Sequence, residues 1–103
     1  MSAYLIADIT ISDPNKYSEY LKFVGATLTK FGGKLVIAVG EHSRGKIEVI
    51  EGNWNPKHLV MVEFEHLDLI KKWYSSSEYQ EILNLRNESS QANFIAVENE
   101  ITT

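Results

Sequence analysis

Cysteine is absent from this chain of 103 residues. Its absence excludes disulfides, thiolate metal sites and a cysteine nucleophile. Positive charge is sparse: ten Lys and Arg stand against fourteen Asp and Glu, a net charge of −4. No basic run exceeds Lys71-Lys72. A nucleic-acid surface needs a dense cationic stripe to neutralise phosphates, so no nucleic-acid partner is expected. Long hydrophobic runs are also missing. None approaches the ~20 residues of a membrane span, and Met1 to Asp8 lacks the basic flank and unbroken apolar stretch of a signal peptide. The expectation is a soluble, cytoplasmic protein with no membrane partner. Only three histidines occur, His42, His58 and His66. No pair has metal-ligand spacing and no HExxH is present, so no metal is expected and all three read as solvent-exposed. GxGxxG, Walker and GxSxG patterns are lacking too. No cofactor is expected, and Ser75-Ser76-Ser77 reads as helix-capping chemistry rather than a nucleophile.

What is present reads as one domain over residues 1–103. Ala3 to Ile11 is a β-rich apolar run interrupted by Asp8. Asp13-Pro14 opens a helix, with Asp13 capping free amides and Pro14 at the first helical position, where its missing N–H costs nothing. Tyr17, Tyr20, Leu21, Val24, Leu28 and Phe31 fall on one helical face. Gly32-Gly33 ends the helix. Lys34 to Gly40 is a second strand, and Lys46 to Glu51 alternates charged and β-branched residues as a short exposed strand would. Gly52 to Pro56 is loop chemistry, and His58 to Glu65 is the third main strand. Leu67 to Tyr74 is a short helix. A further helix starts at Ser77, with Gln80 at capping-box spacing. Asn93 to Glu98 is the last strand, and the polar tail Asn99 to Thr103 reads as frayed. The order β-α-β-β-α-β is the ferredoxin-like arrangement, an α+β fold with helices on one face of an antiparallel sheet.

Strand parity adds a constraint. Tyr4 and Ile6 oppose Leu5, Ala7 and Ile9. Val60, Val62 and Phe64 oppose Leu59 and Met61, and Ile95 and Val97 oppose Phe94 and Ala96. Both sheet faces are apolar, yet two layers of helix cannot lie on both. A sheet with one wet face would alternate with polar residues, so a second copy of the chain is expected to cover the open face as a homodimer.

Asp8, Asp13-Pro14 with Tyr17 and Tyr20, and Phe31-Gly32-Gly33 lead a longer pattern. It continues through Val49-Ile50-Glu51-Gly52-Asn53-Trp54-Asn55-Pro56, Val62-Glu63-Phe64, Trp73-Tyr74, Ser77-Glu78-Tyr79-Gln80 and Leu85-Arg86. Together these resemble the bacterial "domain of unknown function 1330" family of the dimeric α+β barrel superfamily, over nearly the whole chain. The resemblance implies a ferredoxin-like protomer and a homodimer whose sheets meet as a barrel. It implies no reaction. Members of that superfamily include cofactor-independent monooxygenases, muconolactone isomerase, chlorite dismutase and haem-degrading enzymes, and fold does not carry function between them. Three features depart from the family pattern. Val39-Gly40 stands where a glycine pair is usual, the turn Glu41 to Lys46 is longer and more polar, and His66 or Asp68 must cap the short helix after Phe64.

Three charged residues are candidates for chemistry. Glu63 shares a face with Leu59 and Met61, so its carboxylate must be paired, hydrogen-bonded or protonated. It is either a general base or half of a structural ion pair. Arg86 lies on the apolar stripe Tyr79-Ile82-Leu83-Arg86. It can pin the helix through Glu63 or Asp8, or grip the carboxylate of an anionic ligand. Asp8 either faces water or joins this group as a proton carrier. Tyr17, Tyr20, Trp54, Trp73 and Tyr79 are polar-tipped aromatics suited to lining a cleft for a planar apolar ligand with one polar end, or to plain packing. Two functions are compatible with these residues. One is a cofactor-independent enzyme of isomerase or monooxygenase type acting on a small apolar or aromatic acid, with an open pocket beside Trp54 and Tyr79. The other is a non-catalytic dimeric small-ligand-binding module, in which Arg86 and a carboxylate saturate each other.

Overall fold

The computed structural model describes residues 2–41 and 43–100. The expectations for His42 and for the frayed tail beyond residue 100 lie outside the described residues. Seven elements follow in order: β1 Ser2–Ile11, α1 Pro14–Lys30, β2 Lys34–Gly40, β3 His58–Phe64, α2 Leu67–Ser75, α3 Ser77–Ser89 and β4 Ser90–Asn99. The strands form one sheet in the order β2-β3-β1-β4, with every neighbouring pair antiparallel. This is the ferredoxin-like α+β arrangement, with the helices on one face.

Local chemistry sets the element boundaries. The Asp13 side chain accepts from the Lys16 amide at 3.1 Å, and Pro14 occupies the first turn of α1. At the other end Gly32 takes φ +82°, while the Gly33 amide donates to the Leu28 carbonyl at 2.9 Å. Only a residue without a side-chain penalty at positive φ turns the chain so sharply. α3 begins one residue earlier than the sequence suggested. Its cap is Ser76, whose hydroxyl accepts from the Tyr79 amide at 3.2 Å, and Ser77 is already helical. Gln80 does not close a capping box but donates to the Tyr74 carbonyl at 2.7 Å. α2 borrows its cap. His66 supplies no side-chain bond there, and the Leu67 amide instead donates to Glu98 of β4 at 3.1 Å.

Lys46 to Glu51 is not a strand. Alternation is necessary for an exposed strand, but a strand also needs a neighbour for its backbone groups. Here the chain leaves the sheet after Gly40 and returns at Lys57, where the Glu41 amide donates to the Lys57 carbonyl at 3.1 Å. Gly40 has φ +149°, and a Cβ there would lie 2.3 Å from the Lys57 carbonyl oxygen. Among the described residues, the excursion between these points pairs with no strand of the sheet.

Parity holds as expected. Ala3, Leu5, Ala7 and Ile9 of β1 are buried under the helices with Val62 and Phe64 of β3. Trp73, Tyr79, Phe64 and Val62 are the largest fully buried side chains. Each contributes roughly 1.5–3 kcal/mol by leaving water. The other face is uncovered in the protomer: Ile95 is 56% exposed and Val97 39%.

Candidate functional site

A cavity of about 430 Å³ lies between α1 and the helix-side face of the sheet. It exists because its floor and rim are built from small residues. Ala7 and Ala38 lie beneath it, and Gly25 and Gly33 border it, where larger side chains would close the gap. Val24 and Leu28 of α1 form one wall, and Leu5, Ile9, Val60 and Val62 another. Polar groups gather at Tyr17, Tyr20 and His58. The rings of Tyr17 and His58 meet edge to face at 6.4 Å, and those of Tyr17 and Tyr20 lie 5.4 Å apart.

A layer behind this end holds it in place. The Tyr20 and Tyr79 hydroxyls share a hydrogen bond of 3.0 Å in the interior. The Trp73 ring lies 4.1 Å from that of Tyr79, tilted by 41°, and its indole N–H donates to the Thr27 hydroxyl at 2.9 Å. Burial pushes the Tyr17 phenol from 10.0 to about 12, with the nearby Arg86 charge pulling the other way. Burial also raises Tyr20 and Tyr79, since a phenolate is costly where water is excluded. All three are therefore neutral O–H groups at physiological pH. Tyr20 and Tyr79 engage each other, which leaves Tyr17 as the phenol available to the cavity.

Arg86 is only 7% exposed. Its guanidinium carbon sits 4.3 Å from the centre of the Phe94 ring, a cation–π contact. Its Nε has no hydrogen-bond acceptor, and among the described residues no carboxylate lies within ion-pair distance of it. Arg86 lines a second cleft, of about 630 Å³, that shares Leu5, Trp73 and Phe94 with the first cavity.

Arg86 does not meet Glu63 or Asp8. Those carboxylates lie on the opposite face of the sheet, because residues 8 and 63 have the parity of Ile6 and Met61. Glu63 accepts from the Tyr4 hydroxyl at 3.2 Å, and Asp8 accepts from the Trp54 indole at 2.9 Å. Trp54 is 62% exposed and lies on that face too, and among the described residues it lines neither of the two cavities. Of the five aromatics, Tyr17, Tyr20 and Trp73 line the cavity under α1, and Tyr79 supports it from behind.

His58 corrects the reading of the histidines. His66 is exposed as expected, but His58 is buried and lines the cavity. The signal was available: His58 shares parity with Val60, Val62 and Phe64, all of which point under the helices. Among the described residues no cluster of His, Asp and Glu could hold a metal ion.

Residues 2–100 match the family described as a domain of unknown function (DUF1330). No curated protein matches the chain. The fold resembles that of the RPA0582 protein of unknown function from Rhodopseudomonas palustris, at TM-score 0.73 and 12% identity, over 98% of this chain and 84% of that one. It also resembles SnoaB, a cofactor-independent oxygenase from Streptomyces nogalater, at TM-score 0.67 and 10% identity, over 98% and 95% of the two chains. The de novo designed protein Foldit4 matches at TM-score 0.61 and 10% identity, over 97% and 100%. A designed scaffold and an oxygenase share this architecture, so any function must be argued from the site.

Proposed function

We propose, for a chain that belongs to the DUF1330 family, a function argued from the cavity under α1: cofactor-independent proton transfer on a small, flat, largely apolar substrate with one oxygen function. The observation that carries it is the cavity's asymmetry. Its walls are largely aliphatic, and Tyr17, Tyr20 and His58 stand together as its polar aromatic groups, with the smaller Thr29 and Ser43 also in the lining. Such a pocket desolvates a substrate while orienting its polar end.

In this reading His58 is the base. It takes a proton from a carbon next to the substrate carbonyl. The C–H electron pair moves into the carbonyl as an enolate, and the neutral Tyr17 hydroxyl donates to the developing oxyanion. Where the substrate carries a β,γ double bond, the enolate is a dienolate, and returning the proton to its γ-carbon completes an isomerisation to the α,β-unsaturated carbonyl. Reaction of the enolate with dioxygen, as co-substrate, completes an oxygenation. SnoaB, described as a cofactor-independent oxygenase, carries the second kind of outcome on the same architecture, and the choice between the two rests on the substrate. The non-catalytic alternative calls for an arginine saturated by a carboxylate and no cavity, and among the described residues Arg86 has no such partner.

Glu63 and Asp8 belong, in this proposal, to a homodimer interface on the open sheet face, with Tyr4, Ile6, Leu59, Met61, Ile95 and Val97. Their bonds to Tyr4 and Trp54 meet the requirement that carboxylates leaving water be hydrogen-bonded.

The test is exchange of the α-protons of 2-tetralone in D2O, followed by proton NMR. The wild-type chain accelerates exchange over buffer. His58→Gln lowers kcat by ~100-fold or more with KM nearly unchanged, and Tyr17→Phe lowers it by ~100- to 1,000-fold, the usual ranges for a lost proton carrier and a lost oxyanion donor. Exchange unaffected by both substitutions in folded protein overturns the proposal.

A further inference from the structure

We infer that the second cleft, the one lined by Arg86, is a separate binding site for a monocarboxylate with an aromatic or branched apolar body. The cleft opens between α2 and the free edge of β4 and has a volume of about 630 Å³. Phe94, Trp73, Tyr74 and Ile70 give it apolar walls. Its charged lining residues are both cations, Arg86 and Lys71, and no acidic residue is among them.

Charge bookkeeping makes this arrangement informative. A guanidinium removed from water without a counter-ion carries a desolvation penalty of several kcal/mol. Ion pairs do form on the surface, as in Lys16–Glu88 and Lys22–Glu19. Arg86 is far more deeply buried than either pair, yet among the described residues its neighbours are the Phe94 ring and the Tyr79 hydroxyl rather than a carboxylate, and its Nε–H has no acceptor. A carboxylate is the group that satisfies a planar guanidinium best, through two parallel bonds. Lys71 at the rim adds attraction as a point charge, and the aromatic walls receive the apolar body. A multiply charged phosphate would match the cations but leave those walls uncovered, so the carboxylate is the better fit.

The site is distinct from the cavity assigned to proton transfer, because Tyr17, Tyr20 and His58 do not line it. Nitrogen-15 NMR of the full chain separates the two. Titration with benzoate is expected to shift the Arg86 Nε–H and the Tyr74 and Ser75 amides in a saturable way, leaving the Tyr17 and His58 amides in place. Benzyl alcohol, which keeps the ring and lacks the charge, is expected to bind at least tenfold more weakly, and inorganic phosphate likewise. Lys71→Gln, on an exposed position that does not disturb folding, weakens benzoate severalfold. Arg86→Gln abolishes the preference for benzoate over benzyl alcohol. Equal affinity for benzoate and benzyl alcohol, shifts confined to the α1 cavity, or tighter binding of phosphate than of benzoate each overturn the inference. The first comparison uses the unmodified protein, so a variant that fails to fold does not rescue it.

Discussion

The three buried tyrosines give the protein a built-in alkaline limit. A phenol whose pKa is higher folded than unfolded holds its proton more tightly in the folded chain. The stability it lends is fully present below about pH 10 and is lost as pH rises through 12, because the unfolded chain then releases protons that the folded one keeps. The expected result is a steady fall in denaturation midpoint above pH 10. Absorbance at 295 nm should show Tyr17, Tyr20 and Tyr79 remaining un-ionised at pH 11 while the fold persists. Tyr20→Phe and Tyr79→Phe each flatten that alkaline decline. Spacing places Tyr17 and Tyr20 on one helical face and leaves lining a cleft or plain packing open for them and for Trp73; all three border the α1 cavity. Arg86 was read as inward-facing, and it is. What spacing could not supply was the thickness of the sheet. Parity puts Asp8 with Ile6 and Glu63 with Met61, but it does not say which of the two sheet faces the helices cover, and Arg86 turns out to lie under the other one.

At the scale of elements, caps decide where helices begin. Ser76 and Ser77 are adjacent and chemically identical, and only Ser76 caps α3. Ser76→Ala is expected to cost ~1 kcal/mol in urea denaturation and Ser77→Ala only a few tenths, the range for a lost N-cap hydroxyl against an exposed first-turn position. Equal losses would show that the cap is shared. The sequence could not choose between the two serines, because the choice rests on backbone angles at the junction. Ser76 has φ −65° and ψ 149°, extended values that no helical residue adopts. The cap for α2 was hidden more deeply. Glu98 is 31 residues from Leu67 and arrives only once β4 has paired with β1. The failed strand at Lys46 to Glu51 has the same cause: pattern reports what a segment tolerates, and partners decide what it becomes. The strands with apolar residues on both faces were legible because each carried its own evidence of burial.

For the whole molecule, the uncovered sheet face is the dominant feature. Ile6, Leu59, Met61 and Ile95 form an apolar centre, reinforced by the pairing of Ile6 with both Met61 and Ile95 across the strands. A homodimer closing this face would bury on the order of 2,000 Å². Analytical ultracentrifugation is expected to find the mass of two 11.7 kDa chains at micromolar concentration. Ile95→Glu, which places a carboxylate in the apolar centre of the proposed contact, is expected to yield monomers. A monomeric wild type would remove the dimer from the proposal and leave the α1 cavity untouched, since helices and sheet of one chain enclose it.

The bond between the Glu41 amide and the Lys57 carbonyl joins the two ends of the excursion that leaves the sheet after Gly40. Because those ends are already clasped, extra residues spliced into the middle would only enlarge a closed ring, and each doubling of its length costs only about 0.6 kcal/mol. Evolution and engineers alike therefore inherit a docking port for foreign peptide, where a tag or reporter can be grafted while the strands on either side keep their register.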